Sequence, residues 1–251
     1  VLQHAIDDTS AGTPMWLLLD HDNIPYQRVS LRTILEEWLL GVPSLPDGVV
    51  DVTVRAYGGW FCDTTTTEAR FVAAKFYQEN CPTLLRLQDR YFRMRFEFAD
   101  QLLAPKHGAA LQITHTVIMR TQRQQLRIKA NAPACSEANC ELRRLKSWLR
   151  KRRACTLSTC PHDHAAYFER KEQKQVDVHL SVDAITAAEL LGPNEHLAIA
   201  SDDADIIPAA AGAAQRLKDS QTLTLIRFDR TSTYLDSELR RRRARIVLLR
   251  G

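Results

Sequence analysis

The chain has 251 residues, 34 Lys and Arg against 30 Asp and Glu, a net charge of +4 and 45% hydrophobic residues, which suits one generous α/β domain, or one domain with an insertion, and a real core. No run of about 18 apolar residues occurs, which argues against a transmembrane helix and a membrane partner. Val1–Thr13 is polar without a signal-peptide pattern, so a cytoplasmic setting is expected, and the first residue is Val rather than Met, which leaves room for a further N-terminal piece.

Met15–Asp20 is a continuous apolar run ending in an acid, the pattern of a central parallel strand buried on both faces. His21–Pro25 then reads as a loop. Ser30 suits an N-cap, and Leu31, Ile34, Leu35, Trp38 and Leu39 follow helical spacing up to Gly41. Val49–Tyr57 alternates as a strand; the Gly58-Gly59 pair after it reads as a tight turn more readily than as a point of close nucleic-acid approach. Thr64–Asn80 has helical spacing and Pro82 stops it. The β-α-β-α rhythm implies a parallel sheet. Beyond it, Phe92, Met94, Phe96 and Phe98 alternate with charged residues, Leu111–Met119 is a further candidate strand, and Gln122–Ala130 reads as an edge strand or loop. These features give residues 91–130 a partly antiparallel expectation.

Cys135-x4-Cys140 and Cys155-x4-Cys160 flank a basic stretch, Glu141–Arg153, with His162 and His164 just beyond. In a reducing compartment such pairs hold metal or stay reduced more often than they form disulfides. A structural Zn²⁺ on the four cysteines is favoured over reduced structural thiols and over two disulfides, and His162 or His164 is a replacement ligand for one of the four. Cys62 and Cys81 are isolated and read as ordinary buried or half-buried residues.

Lys174–Leu191 alternates like a strand in its first half and is helical in its second, and a helix through its whole length is the alternative. On one helix Asp177 and Asp183 lie roughly 240° apart and do not share a face, so at most one reaches a common site. Leu197–Ala200 is a short apolar run followed by Ser201, Asp202, Asp203 and Asp205; Ala209–Leu217 then reads as a helix. Carboxylates crowded at the end of a buried strand repel, and the repulsion is relieved by a proton or a cation. The carboxyl ends of strands in open α/β sheets are also where ligands bind. These acids therefore point to a divalent-metal site. Gln221–Phe228 is a last strand, and an arginine run at 240–243 leads into the apolar Ile246–Leu249, a short strand or helix end.

Three stretches resemble the NYN domain family, a branch of the PIN-like metal-dependent nucleases: an apolar strand with D-x-x-N (Asp20–Asn23), K-x-V-D-x-x-L-x-x-D (Lys174–Asp183), and S-G-D-x-D-F-x-P (Ser201–Pro208). His21 and Asp202 stand where Gly is common, and Ile206 where Phe is common. The resemblance covers roughly 15–90 and 170–230. It implies a three-layer α/β/α fold with a mostly parallel sheet and Mg²⁺- or Mn²⁺-dependent RNA cleavage. It also implies an acidic set of Asp20, Asp177, Asp203 and Asp205, with Asn23 as a polar helper and Asp183 and Lys174 as further candidates. The expected organisation is a discontinuous nuclease domain, 14–90 and 170–251, interrupted by an insertion, 91–169, with a β-hairpin and the Cys/His zinc element. The partner is then RNA, with DNA as the second candidate, and a homodimer or larger complex stays open.

Two other functions compete. In a haloacid-dehalogenase-like phosphohydrolase Asp20 would be nucleophile and Asp22 acid. In a non-catalytic RNA-binding or adaptor protein the acidic site would be a relict. The basic residues Arg143, Arg144, Lys146, Arg150, Lys151, Arg152 and Arg153 are suited to hold RNA backbone beside an acidic site that would otherwise repel phosphates. Replacing three or more of them is expected to weaken RNA binding and flatten its dependence on salt, read from binding isotherms at several ionic strengths; unchanged binding would remove them from the interface.

Overall fold

The computed structural model describes residues 14–43, 45, 48–62, 65–104, 108–113, 116–120, 127–128, 168–173, 175–228, 237, 239–241 and 244–249. The chain divides into two units, one of residues 1–116 with 175–251 and one of residues 117–174. The larger unit therefore takes in residues 91–116, which the sequence expectation had placed in the insertion.

Strand β1, Pro14–Asp20, is apolar along its length, and Met15, Leu17, Leu18 and Leu19 are fully buried. Helix α1, Leu31–Leu39, opens on Ser30, whose hydroxyl accepts the Thr33 N–H at 3.0 Å, and buries Leu31, Ile34, Leu35, Trp38 and Leu39. This is the stripe its spacing predicts. β2, Val49–Tyr57, returns parallel to β1. After the Gly58-Gly59 turn, β3, Phe61–Cys62, and β4, Thr65–Thr66, form a small antiparallel ladder. Helix α2, Glu68–Asn80, follows, and Pro82 lies just past its end.

β5, Leu84–Leu87, and β6, Arg90–Phe98, form a hairpin, with Gln88 at φ 53° in its tight turn. β6 also pairs parallel with β2 from Val49↔Tyr91 to Ala56↔Phe98. The expected partly antiparallel character of residues 91–130 is seen, among the described residues, in the β5–β6 pair, in an isolated Gln101↔Gln112 bridge and in the pairings of the next two strands. In the smaller unit, β7, Val117–Arg120, and β8, Arg127–Ile128, each pair antiparallel with β9, Phe168–Gln173. The candidate zinc ligands Cys135, Cys140, Cys155, Cys160, His162 and His164, the basic residues from Arg143 to Arg153, and Lys174 lie outside the described residues.

Helix α3 runs through Val176–Leu190, so the strand-like alternation of its first half is overridden. Val176, Leu180, Ala184 and Ala187 repeat at three and four residues and are buried, whereas Val178 and Val182 face outward. β10, His196–Ala200, is wholly buried. A 3-10 turn, Ala204–Ile206, leads into helix α4, Ile207–Ala214; β11, Thr222–Arg227, and β12, Ala244–Leu248, complete the sheet.

The main sheet has seven strands in the order β12-β11-β10-β1-β2-β6-β5, and every pairing but β5–β6 is parallel. α3 packs on β1, β2 and β10 and against α4, and α1 and α4 contact β11. The larger unit is thus α/β, consistent with three layers. Among the described residues no helix is long and apolar enough to cross a membrane.

The strand order decides where a ligand can sit. From β1 the chain adds β2 and β6 on one side, then returns to β1 and adds β10, β11 and β12 on the other. Connections leaving β1 and β10 therefore diverge. The carboxyl ends of these two strands are therefore the topological switch point, the position where doubly wound sheets bind ligands.

Candidate functional site

Asp20 closes β1 at that switch point and is 1% exposed. Leu19 pairs with Ala200, so the residues that follow, Asp20 and Ser201, leave the sheet side by side. Ser201 donates its hydroxyl to Asp20 Oδ2 at 2.7 Å, and the same oxygen accepts from Asn23 Nδ2 at 2.6 Å. Asp20 Oδ1 is buried with no hydrogen-bond partner among the described residues. Burial raises the Asp20 pKa to about 6; the Asn23 and Ser201 bonds pull it down, and the charges of Asp177 and Asp22 push it up.

The other acids come from two separate segments. Asp177 stands in the first turn of α3, half-buried, and its pKa is raised by burial and then by the charges of Asp203 and Asp205. Asp203 caps the 3-10 turn, accepting the Asp205 N–H at 2.8 Å, and its own N–H donates to Ser201 Oγ at 3.0 Å. Asp205 is exposed. Asp20, Asn23, Asp177, Asp203 and Asp205 thus share one electrostatic neighbourhood although they lie up to 185 positions apart in the chain. Among the described residues, however, no group of three or more His, Cys, Asp or Glu side chains is arranged to hold a metal ion. The acids are near enough that Asp177 raises the Asp20 pKa and Asp203 and Asp205 raise that of Asp177.

Two neighbouring residues, each where the resemblance expects glycine, have local work. His21 bonds Tyr77 through Nδ1 at 2.8 Å, and Tyr77 also meets the Tyr26 hydroxyl at 2.7 Å. The bond anchors the 3-10 turn His21–Asn23 that brings Asn23 onto Asp20; burial lowers the His21 pKa. Asp202 Oδ1 accepts the Phe228 N–H at 2.7 Å, and the Asp202 carbonyl accepts from Arg227 at 2.9 Å, so this acid ties the end of β10 to the end of β11. Asp22 Oδ2 accepts the Gly59 N–H at 3.2 Å.

Asp183 is not part of the cluster: it is fully buried and bonded to Arg55, Tyr57 and the Leu103 N–H. Ser201 bridges Asp20 and Asp203, a role that the sequence reading missed. The available signal was a hydroxyl placed directly after an apolar strand and two residues before an acid.

Comparison with protein-family models, with curated proteins and with solved structures finds no match.

The Asp20 pKa carries a stability consequence with a definite sign. A carboxyl whose pKa is higher folded than unfolded binds more protons in the folded state. Its contribution is fully present below the ordinary value of 3.8 and is lost as pH rises to about 6. Asp20→Asn removes the penalty, so at pH 7 in metal-free buffer the variant should be more stable than the parent, by roughly 3 kcal/mol at most. The gain should disappear below pH 4. Melting temperatures across the pH range check this; a variant less stable than the parent at pH 7 would contradict it.

Proposed function

We propose that the chain is an endoribonuclease of the NYN type, a PIN-like hydrolase of RNA phosphodiester bonds that uses a carboxylate-held Mg²⁺ or Mn²⁺. The observation that carries this reading is Asp20 Oδ1, a buried carboxylate oxygen without a hydrogen-bond donor among the described residues, at the switch point of the sheet and repelled by Asp177. An oxygen in that state takes a proton or a cation, and hard divalent cations prefer carboxylate oxygens and retain waters. Asp20 and Asp203 would ligate directly, and Asp177 and Asp205 would complete the set or orient water. Asn23 and Ser201 hold Asp20 Oδ2, which leaves Oδ1 to face the ligand. Such an ion, when bound, lowers the pKa of a water and offsets charge on the departing oxygen. The Zn²⁺ element on Cys135, Cys140, Cys155 and Cys160 and the basic run beside it extend the proposal from sequence alone.

A second reading, an RNA-binding protein with a relict acidic site, is favoured by the spacing of the carboxylates, which form no ready ligand set among the described residues. The phosphohydrolase alternative needs Asp22 as acid, and its Oδ2 accepts a backbone N–H instead.

Purified protein with labelled RNA and Mn²⁺ is expected to show metal-dependent cleavage that Asp203→Asn lowers on the order of 100-fold and Asp22→Asn leaves largely intact. RNA binding without metal-dependent cleavage across varied substrates would favour the adaptor. Loss of activity in Asp22→Asn alone would favour the phosphohydrolase.

Metal binding must also displace the Asp20 proton. Mn²⁺ affinity should therefore tighten about tenfold between pH 5 and pH 7 and level off above, as titration calorimetry at each pH would read; a flat profile would take Asp20 out of the ligand set.

A further inference from the structure

Behind the acidic cluster lies a second set of buried charges. Arg55 on β2 is 4% exposed, Tyr57 1% and Asp183 fully buried. Arg55 Nε donates to Asp183 Oδ2 and to the Tyr57 hydroxyl, both at 3.0 Å, and that hydroxyl donates to Asp183 Oδ2 at 2.5 Å. Asp183 Oδ1 accepts the Leu103 N–H at 2.7 Å. The other two Arg55 nitrogens bond Glu97 on β6 and the Gln101 carbonyl. One helical residue is thereby tied to two strands and to the loop beyond β6.

Burying an ion pair is a poor way to gain stability, because desolvation offsets the attraction; well-packed apolar replacements are often neutral or better. What such a pair supplies is a definite position; the other ion pair of α3 among the described residues is the exposed Glu189–Arg216 pair near its carboxyl end, beside its packing on α4. Val178, Val182 and Ile185 form an apolar stripe at i, i+4 and i+7, opposite the buried Val176, Leu180, Ala184 and Ala187. Val178 is 58% and Val182 40% exposed. Turning α3 about its axis would bury Val178, Val182 and Ile185 in place of the first face, with Glu189 continuing that stripe at the carboxyl end, so hydrophobic burial selects the rotation less sharply in the first half of the helix than in the second. The entry offers no fixed point either: Gln175 is left-handed at φ 68° and makes no side-chain cap.

Asp177 shares this helix. It lies six residues before Asp183, about 9 Å along the axis. Asp20 pairs with Tyr57 across β1 and β2, and Leu18 with Arg55, so the pinning residues stand on the strand beside the one that ends in Asp20. Rotation of α3 would carry Asp177 away from Asp20 and Asp203.

We infer that Asp183, Arg55 and Tyr57 are positioning residues that pin the rotational register of α3 and so hold Asp177 in the acidic site. The functional consequence rests on that site binding a divalent ion; the pin itself does not.

The test is the triple variant Arg55→Met, Tyr57→Phe, Asp183→Leu, which replaces the charges with apolar groups of similar bulk. Its melting temperature should change little, because relief of the buried charges is offset by the Leu103 N–H and the Gln101 carbonyl losing their partners. Val178→Cys and Val182→Cys, introduced one at a time into parent and variant, report the outward face by thiol labelling, with peptide mass spectrometry separating them from the six native cysteines. Labelling should be fast in the parent and slowed about tenfold in the variant. Unchanged labelling in a folded variant would overturn the proposal. Should the triple variant fail to fold, Tyr57→Phe keeps the ion pair, removes one bond and should show a smaller slowing; labelling identical to the parent would overturn the proposal there too. In parallel, Asp177→Asn should weaken Mn²⁺ binding about tenfold in the parent and leave it unaffected in the triple variant. A parent that binds no Mn²⁺ would sink the metal reading of the acidic site, and the labelling result would still decide the pin.

Discussion

The structure depends on one unfavourable placement, a carboxylate taken out of water at the end of β1. The sheet below Asp20 is apolar, and it delivers the acid to a spot where ionisation costs free energy. Three things relieve a buried carboxylate: hydrogen bonds, a proton or a cation. Among the described residues, hydrogen bonds reach one oxygen, from Asn23 and Ser201, and not the other. The surrounding acids make the other oxygen worse off, since Asp177 and Asp22 both raise the Asp20 pKa. An arrangement shaped by stability alone would place a donor against Oδ1 or an apolar residue at position 20. A destabilised acid at the switch point of a sheet is a pattern that functional sites share, and the proposed metal role of Asp20 rests on it.

Topology explains why these acids can meet. Neighbouring strands β1 and β10 are separated in the chain by 175 residues, from the end of one to the start of the other. Their parallel pairing nevertheless puts Asp20 and Ser201 at one level. The strand order reverses at this point, and α3, lying on the same strands, brings in Asp177. Each acid reaches the site on a different element. No single loop movement could assemble it, and the rigidity of the sheet sets its dimensions.

The strands and helices were legible where local pattern and final environment agree. β1, α1, β2, β10 and β11 each carry a pattern that burial confirms, and the acids at Asp20 and Asp203 were visible because they interrupt apolar runs. The rest depended on distant partners. Alternation in Arg90–Phe98 is the same whether the strand joins the main sheet or an insertion; only its pairing with β2 decides. Val176, Val178, Leu180 and Val182 alternate as in a strand, and the helix prevails because its inner face has β1, β2 and β10 to pack on. Asp183 looked like a second site acid because its partners Arg55 and Tyr57 lie 128 and 126 positions away. Asp202 looked like an extra charge in a turn until its bond to the Phe228 N–H on the next strand was seen.

Asp183 and Asp20 also show why burial alone does not identify a working acid. Both are nearly or wholly buried, both lie against the same strands, and both would count as costly charges. They differ in what meets their oxygens. Asp183 has a guanidinium and a phenol on one oxygen and a backbone N–H on the other, so its charge is matched and its position fixed. Among the described residues, Asp20 has neutral donors on one oxygen, none on the other and like charges around it. A matched buried acid has nothing further to bind and can act only as structure. An unmatched one retains an affinity for positive charge that the fold itself does not satisfy, and in this molecule the matched acid sits on the helix that brings a further carboxylate to the unmatched one.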